Sequence, residues 1–188
     1  MFCAKINNYS WSFTFALVLA ACFPLAALAE VFDPGRLTAV TLLGKLDQPM
    51  ELEVADDGRV FFIELNGEFR VFIPEENQAS LIHKFEVARR GEVGLIGLAL
   101  DPNFSQNGWV YLQYSPIGMT SQRTSRFTLE ENQLVPGSEK ILLQFHEMFG
   151  VSAHHAGSLE FGPDGCLFIS TGDDTSPGGD SKGYAPID

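Results

Sequence analysis

The segment that decides the fold covers residues 154–174 and reads His-His-Ala-Gly-Ser-Leu-Glu-Phe-Gly-Pro-Asp-Gly-Cys-Leu-Phe-Ile-Ser-Thr-Gly-Asp-Asp. It predicts two short strands, residues 158–161 and 166–170, that are joined by the turn Gly-Pro-Asp-Gly. Pro163 presets φ for such a turn, and Gly165 supplies the positive φ that reverses the chain. The segment therefore predicts a β-hairpin.

A histidine and a carboxylate stand at the two open ends of this hairpin. His154 precedes the first strand and Asp173 follows the second. Because a hairpin brings its outer ends together, the two side chains are predicted to be neighbours. A carboxylate beside an imidazole holds one tautomer and raises the basicity of the ring, as a general base requires. On spacing alone the simpler alternative is favoured, in which the histidine caps a loop and the aspartate forms an Asx-turn.

The first 29 residues are predicted to be a signal peptide. Lys5 supplies a positive charge, residues 11–28 form an almost uninterrupted apolar run, and Ala27-Leu28-Ala29 fits the small-x-small cleavage rule. Cleavage after Ala29 would release the protein to the periplasm or the extracellular space.

Two other fates of the N-terminal segment are less favoured. A transmembrane anchor is disfavoured because Pro24 interrupts the apolar run and a cleavage motif ends it. A lipoprotein with a lipidated Cys22 is disfavoured because the apolar run continues beyond that cysteine. Plain secretion is the preferred prediction.

The charge balance narrows the classes of partner. The chain has 12 Lys and Arg against 24 Asp and Glu, and removal of the signal peptide takes away only one of these charges, Lys5. A chain this acidic is not expected to bind nucleic acid or anionic membrane surfaces.

Of three cysteines, only Cys166 would remain after cleavage, so no disulfide is predicted within residues 30–188. Its position in a strand pattern predicts a small core residue. Pairing with another chain is the minor alternative.

The chain from residue 32 onward predicts strands, with Gly, Pro, Asp and Asn clusters between them. The turn glycines Gly58, Gly108 and Gly165 are separated by 50 and 57 residues, and a similar strand-turn-strand sequence pattern surrounds each of them. A repeat of this length with four strands per unit is typical of an all-β propeller, whereas a β-sandwich is the alternative. The predicted strands besides the hairpin are residues 51–55, 59–65, 68–73, 97–100, 109–114, 123–129 and 141–145.

The number of repeats predicts an incomplete ring. Residues 30–188 make about three four-stranded blades, whereas propellers close with roughly 4–8. We therefore expect this segment to be the N-terminal half of a truncated propeller domain.

Two segments resemble the glucose/sorbosone dehydrogenase family, soluble aldose dehydrogenases that depend on pyrroloquinoline quinone (PQQ) and form six-bladed β-propellers. Residues 154–173, with the pattern His-x-x-Gly-x-Leu-x-Phe-Gly-Pro-Asp-Gly-x-Leu-x-Ile-x-x-Gly-Asp, resemble the His-x-Gly-Gly segment of the family. Residues 92–104 resemble the family pattern Gln-x-Gly-Leu-Leu-Gly-x-Ala-x-x-Pro-x-Phe, in which the leading glutamine contacts the cofactor. Glu92 occupies that position here, and Ala156 replaces the first glycine of the histidine motif.

The resemblance implies a role for each of these residues. His154 would be the general base for the anomeric hydroxyl of an aldose, Asp173 would orient its ring, and Glu92 would contact PQQ, which accepts the hydride. It also implies that the cations for the PQQ carboxylates, and the ligands of a possible calcium ion, come from later blades. The resemblance does not identify the natural electron acceptor. The alternative is a non-catalytic secreted propeller that acts as a binding or interaction module, or an inactive fragment.

Overall fold

The computed structural model describes residues 38–146 and 154–172 of the 188-residue chain. The chain divides into two compact units, Met1–Gly44 and Lys45–Asp188. Residues 38–44 of the first unit contain no helix or strand. The predicted signal peptide, including Cys22, lies outside the described residues, so it stays a prediction. All the elements given below belong to the second unit.

The first sheet is an antiparallel meander of four strands, paired in chain order. Gly58 has φ +87° and Gly67 has φ +98°, so both tight connections use the left-handed conformation that glycine adopts without steric cost. The predicted strands and turns of this blade are confirmed. The strands are β1 (Pro49–Val54), β2 (Val60–Glu64), β3 (Glu68–Ile73) and β4 (Gln78–Lys84).

The fourth strand of this sheet was not predicted from the sequence. The segment of β4 reads Gln-Ala-Ser-Leu-Ile-His-Lys, and most of its side chains are exposed. It therefore lacks the alternation of apolar and polar residues on which a strand prediction depends. Pairing with β3 produces this strand.

The second sheet contains a similar four-stranded meander. It consists of β5 (Leu95–Leu100), β6 (Trp109–Tyr114), β7 (Ser121–Glu130) and, after the two-residue β8 (Gln133–Leu134), β9 (Lys140–His146), which pairs with β7. One short helix, α1 (Phe104–Asn107), lies in the loop between β5 and β6 and ends at Gly108, which has φ +63°. In residues 38–146 and 154–172 no helix is long and apolar enough to cross a membrane.

The predicted third hairpin is confirmed as β10 (Leu159–Phe161) paired antiparallel with β11 (Leu167–Ile169). Its turn closes with a hydrogen bond from Gly162 N to Cys166 O of 2.9 Å and one from Gly165 N to Gly162 O of 2.9 Å. Gly165 has φ +79°. The three aligned turn glycines therefore share a left-handed conformation, as the repeat predicts.

Within residues 38–146 and 154–172, two apolar clusters join successive sheets. The larger one packs the first sheet against the second and includes Phe61, Phe69, Leu98 and Leu112, each fully buried. The smaller one packs the second sheet against the third hairpin around Ala99, Tyr111 and Leu159. Each fully buried aliphatic or aromatic side chain contributes roughly 1.5–3 kcal/mol. Side-by-side packing of antiparallel meanders is the arrangement of β-propeller blades, and the predicted fold class is confirmed.

The interior position predicted for Cys166 is wrong. This residue is exposed on the hairpin immediately before β11. The third hairpin packs against the second sheet through Leu159, Phe161, Leu167 and Ile169, so Cys166 is not part of that contact.

Candidate functional site

The first strand of the second sheet, β5, runs close to the segment that leads into the third hairpin. A Cβ atom placed on Gly97 would overlap Gly157 O, and one placed on Gly157 would overlap the side chain of Ile96. Only glycine permits this approach of two backbones. Residues 154–157, which we call the His154 loop, are thereby held against the second sheet.

Glu92 lies at the His154 loop. Its Oε2 accepts a hydrogen bond from the backbone N–H of His155, with an N–O distance of 3.1 Å. The two residues are 63 positions apart in the sequence. The structure therefore brings the start of one segment that carries the sequence resemblance, Glu92, to the start of the other, the His154 loop.

His154 is exposed and has a left-handed backbone, with φ +66°. A residue other than glycine in this conformation costs on the order of 1–3 kcal/mol, and such residues persist where the surrounding structure holds them. The backbone of Gly172 packs against that of His154, since a Cβ atom added to Gly172 would overlap His154 O. The two ends of the hairpin therefore lie side by side, as predicted.

Asp173, the predicted partner of His154, lies outside the described residues. What is described is its neighbour Gly172, whose backbone packs on that of His154. The pairing of the His154 imidazole with the Asp173 carboxylate stays a prediction.

Two buried glutamines near the His154 loop were not predicted from the sequence. Gln113 on β6 is fully buried, and Gln122 on β7 is 1% exposed. Gln113 Nε2 donates to Gln122 Oε1 at 2.6 Å and to Ser170 O at 3.2 Å. Gln122 Nε2 donates to Ala156 O at 3.0 Å. The sequence signal was a pair of carboxamides at strand positions, and only the fold shows that these positions are buried.

A second unpredicted feature is Glu51 on β1, which contacts both the second sheet and the third hairpin. Its Oε2 accepts a hydrogen bond from Leu98 N at 2.6 Å, and its Oε1 accepts one from Ser158 Oγ at 2.7 Å. Burial raises the pKa of Glu51 above its ordinary value, and these two hydrogen bonds act in the opposite direction.

Further carboxylates accompany Glu51. Burial, followed by repulsion from Glu160 and Glu51, raises the pKa of Glu53 to about 7. The acidic groups of β1 therefore interact with that of β10. Within residues 38–146 and 154–172 no group of three or more His, Cys, Asp or Glu side chains is arranged to hold a metal ion.

The groups at the His154 loop can be compared with what an aldose dehydrogenase requires. An imidazole and a carboxylate accept protons and hydrogen bonds, which suits the hydroxyl groups of a sugar. His154 and Glu92 are both exposed, so a ligand can reach them. PQQ carries three carboxylates that must be held by cations, and the resemblance assigns those cations to later blades. The described residues of this loop therefore offer hydrogen-bonding groups of the kind that a ligand with several hydroxyl groups uses.

The two segments that carry the family resemblance therefore meet in the structure through the hydrogen bond from His155 N to Glu92 Oε2. The family model "Glucose / Sorbosone dehydrogenase" matches residues 46–183. The chain belongs to the glucose/sorbosone dehydrogenase family.

Solved structures agree with this assignment. An oxidoreductase assigned as a glucose dehydrogenase, from Thermus thermophilus, is 31% identical with a TM-score of 0.64 over 70% of this chain and 39% of its own. The PQQ-bound aldose sugar dehydrogenase of Streptomyces coelicolor is 22% identical with a TM-score of 0.64 over 72% of this chain and 41% of its own. At that identity the second likeness shows the fold alone.

Curated relatives include a protein whose name describes binding. The Hedgehog-interacting protein of Mus musculus is 29% identical over 152 residues, and that of Homo sapiens is 30% identical over 148 residues. The chain spans 21% of the length of each of these relatives.

Proposed function

We propose that this chain contributes the general-base side of an exported, PQQ-dependent aldose dehydrogenase. The observation that carries the proposal is the hydrogen bond from His155 N to Glu92 Oε2, because it joins the two family segments at one exposed site. The activity would belong to a protein that also contains the blades absent from these 188 residues. Residues 1–29 would direct its export to the periplasm or beyond.

The chemistry assigned to the chain is proton removal from the anomeric hydroxyl of the sugar. His154 accepts that proton, so that the anomeric C–OH becomes the C=O of a lactone. PQQ, when bound, supplies the two-electron acceptor for the hydride that leaves the anomeric carbon. Asp173 would hold the imidazole in the tautomer that presents its unprotonated ring nitrogen to the substrate.

The strained backbone of His154 supports this role. A left-handed histidine held by Gly172 has its position set by the hairpin ends and by the adjacent sheet. A general base must lie within hydrogen-bonding reach of the proton that it removes, so a fixed loop is more useful than a free one.

The test is reconstitution of the longer protein, which also contains the other blades, with PQQ and calcium, followed by dye reduction with a panel of aldoses. We expect PQQ-dependent dye reduction in the parent and a loss of about 100-fold or more in kcat for His154→Ala. His83→Ala is the matched control, because His83 is exposed on β4 in the first sheet. Absence of both dye reduction and a PQQ-dependent rise in Tm would overturn the proposal.

A second candidate function is a secreted propeller that binds a partner without catalysis. The similarity to Hedgehog-interacting proteins favours it, as does Ala156 in the place of a family glycine. Its added methyl group lies in the loop where a ligand would approach the backbone. PQQ binding separates the two candidates, because a non-catalytic module has no need to retain it.

A further inference from the structure

The ends of the third hairpin are held from the second sheet by two buried carboxamides. Gln122 Nε2 donates to Ala156 O, which precedes β10, and Gln113 Nε2 donates to Ser170 O, which follows β11. The two glutamines are themselves joined through Gln113 Nε2 and Gln122 Oε1 at 2.6 Å. One network therefore contacts both open ends of the hairpin.

Burial makes this network costly to break. Both glutamines are at most 1% exposed, and an unpaired polar group in such a place costs about 1–3 kcal/mol. Removing one carboxamide would leave a buried hydrogen-bonding group of its partner unpaired. The bonds also fix direction, since each donor reaches one particular backbone carbonyl across the boundary between the two blades.

The two carbonyls that accept these hydrogen bonds lie close in the sequence to His154 and Asp173. Ala156 lies two residues after His154, and Ser170 lies three residues before Asp173. A shift of either carbonyl would move the chain that carries the proposed base or its proposed partner. Apolar residues of similar shape would fill the same space, so packing alone does not require two glutamines here.

We propose that Gln113 and Gln122 are positioning residues, which hold both ends of the third hairpin so that the His154 imidazole faces its substrate. Neither residue touches the substrate. The catalytic role of the two glutamines rests on the proposed function, whereas their effect on the position of the His154 loop can be measured without any activity.

The central variant is Gln122→Met, which keeps the length of the side chain and loses its donor to Ala156 O. Ser121→Ala is the matched control. Ser121 is the neighbour of Gln122 on β7, is 7% exposed, and makes no side-chain hydrogen bond within the described part of the chain. Both variants alter one buried polar side chain at the same strand end.

The structural measurement is made by NMR on the full chain. In Gln122→Met we expect the imidazole resonances of His154 to shift or broaden, and the His155 amide to exchange about tenfold faster as its bond to Glu92 loosens. Ser121→Ala should leave both unchanged. Unchanged His154 and His155 signals in a folded Gln122→Met variant would overturn the proposal.

A second variant, Gln122→Glu, covers the case in which Gln122→Met does not fold, because protonation of the new carboxyl restores the lost donor. In Gln122→Glu, a protonated carboxyl can still donate to Ala156 O, whereas an ionised one cannot. We expect parent-like signals at low pH and displaced His154 signals once this carboxyl ionises. All signals are compared with those of the parent at the same pH. A displacement from the parent that is equally large at every pH would contradict the role of the donated hydrogen bond.

The catalytic measurement is the split between kcat and KM. Misplacement of the base should lower kcat by roughly 10–100-fold in Gln122→Met with PQQ while KM changes less. A displaced His154 with unchanged kcat would overturn the positioning role. An inactive parent would instead defeat the proposed function, and the NMR result would still decide whether the glutamines hold the loop.

Discussion

Ser158 Oγ donates a hydrogen bond to Glu51 Oε1 across 2.7 Å, although the two residues are 107 positions apart in the sequence. The same carboxylate accepts the backbone N–H of Leu98 through its other oxygen. One side chain of the first blade therefore bonds to both the second blade and the third hairpin. The Glu51 carboxylate therefore links all three described sheets.

The first prediction concerns this link. Ser158→Ala should lower the free energy of unfolding by about 1 kcal/mol, because it removes a donor from a partly buried carboxylate. The loss should grow with pH, since the hydroxyl stabilises the ionised form of Glu51. Urea unfolding at two pH values measures it. Ser80→Ala, at an exposed position on β4, is the control and should change little.

The second prediction concerns Glu53, whose pKa of about 7 lies above the ordinary value of 4.5. Between these values the folded state keeps a proton that the unfolded state has lost, so stability falls as pH rises from 4.5 to 7 and is level above that. Glu53→Gln removes the penalty and should be more stable than the parent by about 1 kcal/mol at about pH 8, after allowance for solvent screening. The advantage should vanish near about pH 4.

Thermal unfolding across this pH range checks the prediction. Glu75→Gln alters an exposed carboxylate between β3 and β4 and serves as the comparison. An advantage of Glu53→Gln that is equally large at both ends of the range would show that ionisation is not its cause.

The third prediction concerns the glycine contact between blades. Gly97→Ala should destabilise the protein by about 1–3 kcal/mol, because the new methyl group would overlap Gly157 O and force the His154 loop away from β5. Gly44→Ala has nothing within 4 Å of its Cβ position and should be tolerated. Denaturant midpoints of the two variants provide the measurement, and equal midpoints would contradict the close packing.

The fourth prediction concerns Glu92. Glu92→Gln should keep the hydrogen bond from His155 N, because an amide oxygen accepts it as a carboxylate oxygen does, and it removes a negative charge. If PQQ binds beside this residue, its affinity should rise by about tenfold as repulsion is lost. Fluorescence titration with PQQ measures this affinity.

A comparison variant tests the origin of that change. Glu86→Gln removes the same charge from an exposed residue between β4 and β5 that lies outside the 92–104 motif. An equal gain from both variants would assign the effect to net charge and not to a contact at Glu92.

Most of the blade structure could be predicted from the sequence, because it depends on local properties. The strands β1 to β3 and the three aligned turn glycines follow from alternation and from the φ that each turn requires. β4 was missed because its pattern is nearly all polar or exposed. Cys166 was placed wrongly because alternation in a short hairpin does not reveal which side meets the neighbouring blade.

The sequence by itself determined the repeat, the hairpin and the two motifs that identify the family, because each of these depends on residues that are close together along the chain. Only the tertiary structure decided that Glu92 meets the His154 loop, that Gln113 and Gln122 hold the hairpin ends, and that Glu53 is crowded by Glu160. The physical reason is that these hydrogen bonds and charge interactions join groups that are distant along the chain. Their strength depends on burial, which exists only after the blades have packed together.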